Sequence, residues 1–186
     1  MGDREALISR FLAKAGWVGA TRAPIAGDLS ARRYCRLTGP GGETAILMDA
    51  DPTLVASTPR FVEVTNWLHA ADLSAPEVFA NAADDGLLLL EDFGDSIVSE
   101  LLKSEPELRS EIYSLALELI DRVHGHRLDS LHNPSPQELV ELTRLTDDHY
   151  PHLDHARLKP FRTVLETVFA EILADPPAVS LRDFHA

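Results

Sequence analysis

The chain has 186 residues, 45% hydrophobic and 25% charged, with a formal net charge of −13, enough for one good core or two small lobes of an ordinary globular protein. Its acidity is even: residues 1–95 carry 8 Lys+Arg against 14 Asp+Glu and residues 96–186 carry 9 against 16, so no basic face is available to a nucleic-acid backbone and nucleic acid is not an expected partner. A single cysteine, Cys35, excludes an internal disulfide and suits a reducing cytoplasm, Met1–Glu5 lacks the basic-then-apolar layout of a signal peptide, and no apolar run approaches the ~20 residues of a membrane span, so a cytoplasmic chain without a membrane partner is expected.

In the first half, Leu7, Ile8, Phe11 and Leu12 form one apolar stripe between Asp3 and Ala15, a helix ended by Gly16. The stretch from Ile25 is turn-rich through Gly27, Asp28, Leu29, Ser30 and Ala31, and then alternates loosely over Arg32–Leu37. Gly39-Pro40-Gly41-Gly42 is a turn signal, and Thr44–Met48 reads as the second strand of a β-hairpin. A Gly/Asp/Ser loop entering a strand offers backbone N–H groups to phosphate, and it is equally an ordinary hairpin turn. Arg32, Arg33 and Arg36 form a basic island in an acidic chain, suited to an anionic ligand or to a solvated strand face. Phe61, Val64, Trp67 and Leu68 fall at helical spacing and predict a helix packed on the sheet. Ala75–Ala80 reads as extended, Ala83–Gly86 as a turn, and Leu87–Leu90 as a buried strand running into the acidic, Gly-punctuated linker Glu91–Asp95.

From Ser96 the periodicity is helical. A short helix begins over Ser96–Leu102, and Ser104-Glu105-Pro106-Glu107 has the form of a capping box. It opens a longer helix with Leu108, Ile112, Leu115, Ala116, Leu119, Ile120 and Val123 along one face. His124 and His126 fall at its C-terminus, where histidines favour the helix dipole. Ser135-Pro136-Gln137-Glu138 is a second capping box, ahead of Leu139, Leu142 and Leu145. His149, His152 and His155 have the spacing of a metal site, but Pro151 interrupts them and a wet, irregular connection is expected, with no metal ligands assigned. Pro160 then precedes a stripe of Phe161, Val164, Leu165, Val168, Phe169 and Ile172. All these stripes are expected to be core faces.

The chain closes on Leu181-Arg182-Asp183-Phe184-His185-Ala186 after an apolar lead-in. A kinase catalytic loop has this character, with a base Asp and, five residues on, an Asn that holds a metal ion. That Asn position would fall two residues past Ala186. Asp92-Phe93-Gly94 stands some ninety residues ahead of this loop and is not expected to be the kinase metal-binding triplet, which follows it.

The order of an αβ lobe, an Asp/Gly linker, a helical lobe and an Arg-Asp-Phe-His loop resembles the kinase-like aminoglycoside/choline phosphotransferase family. The resemblance is carried by Arg32–Leu37, Ile46–Ala50 with Pro52, Phe61-Val62, Pro76-Glu77-Val78, Leu87–Gly94 and Leu181–Ala186, and is nearer the bacterial branch of kinases that phosphorylate N-acetylmuramate and N-acetylglucosamine at the anomeric hydroxyl. It implies an α+β, two-lobe kinase-like fold, with a small antiparallel-sheet lobe over residues 1–92 and part of a helical substrate lobe over 93–186. Asp183 would be the catalytic base. Gly27, Asp28, Ser30, Arg32 and Arg33 would cover the phosphates of ATP, and Glu91 and Phe93 would offer backbone groups to the adenine. Met48 stands where a kinase strand presents a phosphate-binding Lys, which removes any pairing with Glu63 and leaves Arg32, Arg33 or Arg36 to supply the charge. ATP and Mg²⁺ are the implied cofactors and a small sugar the implied partner. The metal ligands would fall beyond residue 186, so this chain alone is expected to be nearly inactive. A non-catalytic nucleotide- or partner-binding module is the alternative.

Overall fold

The structure, a computed structural model, describes residues 2–25, 31–55, 58–150, 152 and 154–181. The chain divides into two compact units after Ala116. The first opens with helix α1 (Gly2–Lys14), whose stripe of Ile8, Phe11 and Leu12 is buried. Gly16, at φ +82°, ends it in a Schellman arrangement: its N–H donates to the Ala13 carbonyl and that of Trp17 to the Leu12 carbonyl. Five strands follow, β1 (Thr21–Ile25), β2 (Arg33–Thr38), β3 (Thr44–Asp49), β4 (Val78–Ala82) and β5 (Leu87–Leu90), with helix α2 (Thr58–Ala70) between β3 and β4. They form one sheet in the order β1-β2-β3-β5-β4, every neighbouring pair antiparallel.

Both faces of the sheet are covered, which is why β5 reads as four consecutive leucines, all buried. Leu37, Ala45, Leu47, Leu87 and Leu89 pack with α1, while Met48, Ala50, Leu88 and Leu90 pack with Phe61 and Val62 of α2. Between β4 and β5 lies a 3₁₀ turn, Ala83–Asp85, closed by Gly86 at φ +71°. A Cβ on Gly86 would sit 1.8 Å from the Ala50 carbonyl oxygen, so glycine alone allows the 2.8 Å bond from the Ala50 N–H to the Gly86 carbonyl. The hairpin, both helices and β5 follow the sequence reading. Strand β1 does not: it is exposed at every residue and contains Pro24, which an edge strand tolerates, so it has no apolar alternation to betray it.

After the linker come α3 (Val98–Ser104), a 3₁₀ turn over Pro106–Leu108 and α4 (Arg109–His124). Ser104 belongs to the last turn of α3 and its hydroxyl donates back to the Leu101 carbonyl at 3.0 Å, so the expected capping box at Ser104–Glu107 does not form. The second box does form: the Ser135 hydroxyl accepts from the Glu138 N–H and the Glu138 carboxylate accepts from the Ser135 N–H, opening α5 (Pro136–Leu142). Then come α6 (Leu145–His149) and α7 (His155–Ile172). Helix α7 begins five residues before Pro160, which lies inside it, because Asp154 caps it by accepting from the Ala156 N–H.

The helical stripes are not the core faces the spacing suggests. Along α4 only Val123 is buried, Ile112, Ala116 and Ile120 are half-buried, and Leu115 and Leu119 are exposed. Leu142, Leu145, Phe161, Val164, Val168 and Ile172 are exposed as well. Helical period supplies the stripe, but burial requires a second surface, and within the second unit α5 and α7 give each other only a partial one, with Leu139, Leu165 and Phe169 half-buried. What holds this second unit is more polar: Arg162 of α7 donates to the Thr143 hydroxyl at 3.0 Å and to Asp147 at 2.6 Å, and Gln137 donates to Glu166.

Candidate functional site

Strand geometry sets the site. Side chains alternate along a strand, so Leu88 and Leu90 of β5 face α2, and Asp92, two residues on, continues the same row into the linker. On β2, Arg36 stands in register with Ile46 of β3, and Ile46 with Leu90 of β5. Arg36 reaches the linker and grips it twice. Its Nε and Nη2 donate to the two Asp92 carboxylate oxygens at 2.7 and 3.1 Å, and its Nη1 and Nη2 lie 2.9 and 2.8 Å from those of Asp95. Both contacts use the planar fork that arginine presents to a carboxylate. The Asp92 side chain is 5% exposed and that of Asp95 is 84% exposed. Hydrogen bonding to Asp95 first, and to Asp92, holds the Arg36 guanidinium above its ordinary pKa. Burial by itself would push the Asp92 carboxyl up, but hydrogen bonds from Arg36, the Gly94 N–H and Thr44 together hold it below the ordinary value. Gly94, at φ +77°, makes that turn by donating its N–H to Asp92 at 2.9 Å.

Beside the linker, along α2, lies a cavity of about 330 Å³, within the size range of small-ligand sites. Phe61, Val64 and Leu68 of α2 form its apolar wall, Phe93 of the linker closes one side, and Arg32 and Arg60 bring two guanidinium groups to it. The loop that forms the far wall, Ser74–Pro76, is held by His69: its Nε2 donates to the Ala75 carbonyl at 2.8 Å, a bond that requires the proton on Nε2 because a carbonyl only accepts.

The residues singled out from sequence are thus sorted. Arg32 and Phe93, sixty-one positions apart, line one cavity. Arg33 points to the other face of the sheet, where its Nη2 donates to Asp49 at 2.7 Å and Arg4 of α1 donates to the same carboxylate at 2.7 Å. Arg36 is engaged by Asp92 and Asp95. Met48 is fully buried between the sheet and α2, and Glu63 accepts from Arg60 at 2.6 Å. The Glu91 N–H donates to the Glu77 carbonyl at 2.9 Å, and the Glu91 carboxylate accepts from the Glu77 N–H at 3.1 Å. Gly27, Asp28, Ser30 and Asp183 lie outside the described residues. Among the described residues no group of three or more His, Cys, Asp or Glu side chains is placed to hold a metal ion, and no helix is long and apolar enough to cross a membrane.

Arg60 on the cavity, and Asp49 on the opposite face of the sheet, were given no role from the sequence. The signal for Asp49 is its register opposite Arg33, which becomes visible only once β2 and β3 are paired.

No family model matches the chain. It is similar to an N-acetylmuramate/N-acetylglucosamine kinase of Caulobacter vibrioides, at 30% identity over 149 residues, covering 66% of this chain and 40% of that protein. It is also similar to a protein of the same name from Pseudomonas aeruginosa, at 33% identity over 97 residues, covering 52% of this chain and 28% of that one. The chain therefore spans less than half the length of either curated relative that it matches.

Proposed function

We propose that this chain carries the nucleotide-binding lobe, and part of the helical lobe, of an ATP-dependent phosphotransferase with a two-lobe kinase-like fold, acting on a hydroxyl of an amino sugar. The observation that carries this reading is the likeness to two proteins that share the name N-acetylmuramate/N-acetylglucosamine kinase. The cavity beside Phe93 supports it: an apolar wall of Phe61, Val64 and Leu68 suits the flat face of a purine, and Arg32 and Arg60 suit an anionic tail. In this reading the Glu91 carbonyl and the Phe93 backbone hold the base edge.

The reaction is in-line displacement. The sugar hydroxyl oxygen bonds to the γ-phosphorus, the bond from that phosphorus to the β–γ bridging oxygen breaks, ADP leaves, and Asp183 takes the hydroxyl proton. Mg²⁺ would neutralise charge on the phosphates when bound, but the described residues do not fit a resident cation and none is assigned to it.

Two measurements test the proposal. In calorimetric titration the chain should bind ATP, and Phe93→Ala should weaken that binding; no detectable ATP binding by the unsubstituted chain overturns the reading. In the whole protein, transfer from γ-labelled ATP to N-acetylglucosamine or N-acetylmuramate should be Mg²⁺-dependent. There Asp183→Asn should lower kcat about 10²–10⁴-fold while leaving ATP affinity nearly unchanged, because a base acts on the acceptor in the transition state. A loss well below this range removes Asp183 from the role.

A further inference from the structure

We infer that Arg36 is a positioning residue for the cavity, clamping the Glu91–Asp95 segment to the sheet so that Phe93 and the Glu91 carbonyl stand where a ligand meets them. The geometry is unusual in its reach. Strands β2 and β5 flank β3, two strand spacings or roughly 9.5 Å apart. The Arg36 side chain therefore passes over β3 to reach Asp92, which lies one step past the end of β5. The contact joins residues 56 positions apart and carries two carboxylate forks from one guanidinium.

A clamp of this kind does more than close a turn. Without it, the segment after Leu90 is held by the Glu91 N–H to Glu77 carbonyl bond, by the Glu91 carboxylate accepting from the Glu77 N–H at 3.1 Å, and by the Gly94 turn, and the last of these is itself built on Asp92. Phe93 is 59% exposed, so its own packing does little to fix it. Its place beside the cavity is set by the residues on either side of it, and both flanking sites, Asp92 and Asp95, terminate on Arg36. Lysine could not replace it: one ammonium on a flexible stem cannot present two parallel donors to each of two carboxylates.

The clamp itself stands without any functional assignment; its consequence for binding rests on the nucleotide reading. The test therefore has two arms on the same 186-residue chain. Hydrogen exchange of the amides of residues 93–97 should be about tenfold or more faster in Arg36→Met, the effect of losing charge-assisted bonds, with β3 and β5 unchanged and Arg36→Lys only partly restored. Unchanged exchange at 93–97 overturns the inference. Should Arg36→Met loosen the whole sheet, Asp95→Asn decides, since it removes only the exposed arm: faster exchange confined to 93–97 supports the clamp, and no change overturns it. In the second arm the Kd for ATP should rise about fivefold or more in Arg36→Met and less in Arg36→Lys. Faster exchange with unchanged ATP affinity overturns the positioning role at the cavity. If the unsubstituted chain binds no ATP, the proposed function fails, and the exchange arm still decides the clamp.

Discussion

The two units of this chain use the same residue types to different ends. In residues 2–116, apolar side chains are held on both faces of a sheet: Leu37, Met48, Leu87 and Leu88 have no exposed surface. In residues 117–181, apolar side chains recur at helical spacing with the same regularity, yet Leu142, Val164 and Ile172 are each more than 60% exposed. Periodicity writes a face into a helix, and it takes a facing surface to turn that face into a core. The sheet provides such a surface to α1 and α2, whereas α5 and α7 only half-bury Leu139, Leu165 and Phe169, with Arg162 bonded to Thr143 and to Asp147 of α6 and Gln137 to Glu166. The stability of the first unit should accordingly come from long-range burial, and that of the second from local caps and polar links.

The largest effect that would sharpen this contrast is truncation of a buried side chain. Met48→Ala or Leu88→Ala should cost about 2–5 kcal/mol by chemical denaturation, the usual result of emptying a closed core site. Leu142→Ala, the same kind of deletion on an open helix face, should stay within about 0.5 kcal/mol. Equal losses at the two sites would show that the helical faces are covered in solution.

A smaller loss should follow at Asp49, which receives Arg4 from α1 and Arg33 from β2, while Arg4 also donates to the Asp85 and Gly86 carbonyls. Asp49→Ala leaves these guanidinium groups without their carboxylate and should cost about 1–3 kcal/mol, measured by thermal unfolding. Because Arg33 is 68% exposed and can turn to water, Arg33→Ala should cost clearly less than Arg4→Ala.

How much of this was legible follows from where each signal lies along the chain. Leu87–Leu90, the Gly39–Gly42 turn and the stripe of α1 announce themselves because their partners in pattern are neighbours in sequence. Strand β1 is silent because it is held to β2 chiefly by backbone pairing and exposes every residue. The Arg36–Asp92 clamp is silent for another reason: its two ends share a face only when β2, β3 and β5 are laid in register, and a charge cluster gives no hint of which carboxylate it will meet. Arg32 and Phe93 could be chosen as types suited to an anion and a ring, but not as neighbours on one cavity. Ser104 misled because serine two residues before a proline fits a cap and a helix end equally well, and the α3 backbone decided between them.

In the helical unit the expected effects are smaller still. Ser135→Ala removes the hydroxyl that accepts from the Glu138 N–H and should cost about 1 kcal/mol of local stability, the usual worth of an N-cap. Faster exchange should appear in α5, with β3 and β5 unaffected.

The smallest effect, and the one that compares the units most directly, is acid. Asp92 and Glu138 are both carboxylates held below their ordinary pKa. Asp92 is so held because Arg36, the Gly94 N–H and Thr44 outweigh its burial, and Glu138 because the Ser135 N–H and hydroxyl, and then His132, favour the ionised form. A depressed folded-state pKa means that the carboxylate contributes stability above the unfolded-chain value, near 4, and that this contribution fades as pH falls through the lower folded value. Neither contact should therefore weaken between pH 8 and 5, and both should weaken below about pH 4. They should part in salt dependence. Glu138 is an exposed cap at the N-terminus of a short helix, so its loss should be partly masked by salt. Asp92 has its carboxylate 5% exposed and forked to a guanidinium, so the linker should respond little to salt. Amide chemical shifts of Gly94 and Glu138, followed by NMR from pH 6 to 2 at low and high salt, report the two sites separately. A Gly94 midpoint that moves more with salt than that of Glu138 would place Asp92 in water and undo the distinction between the two regions.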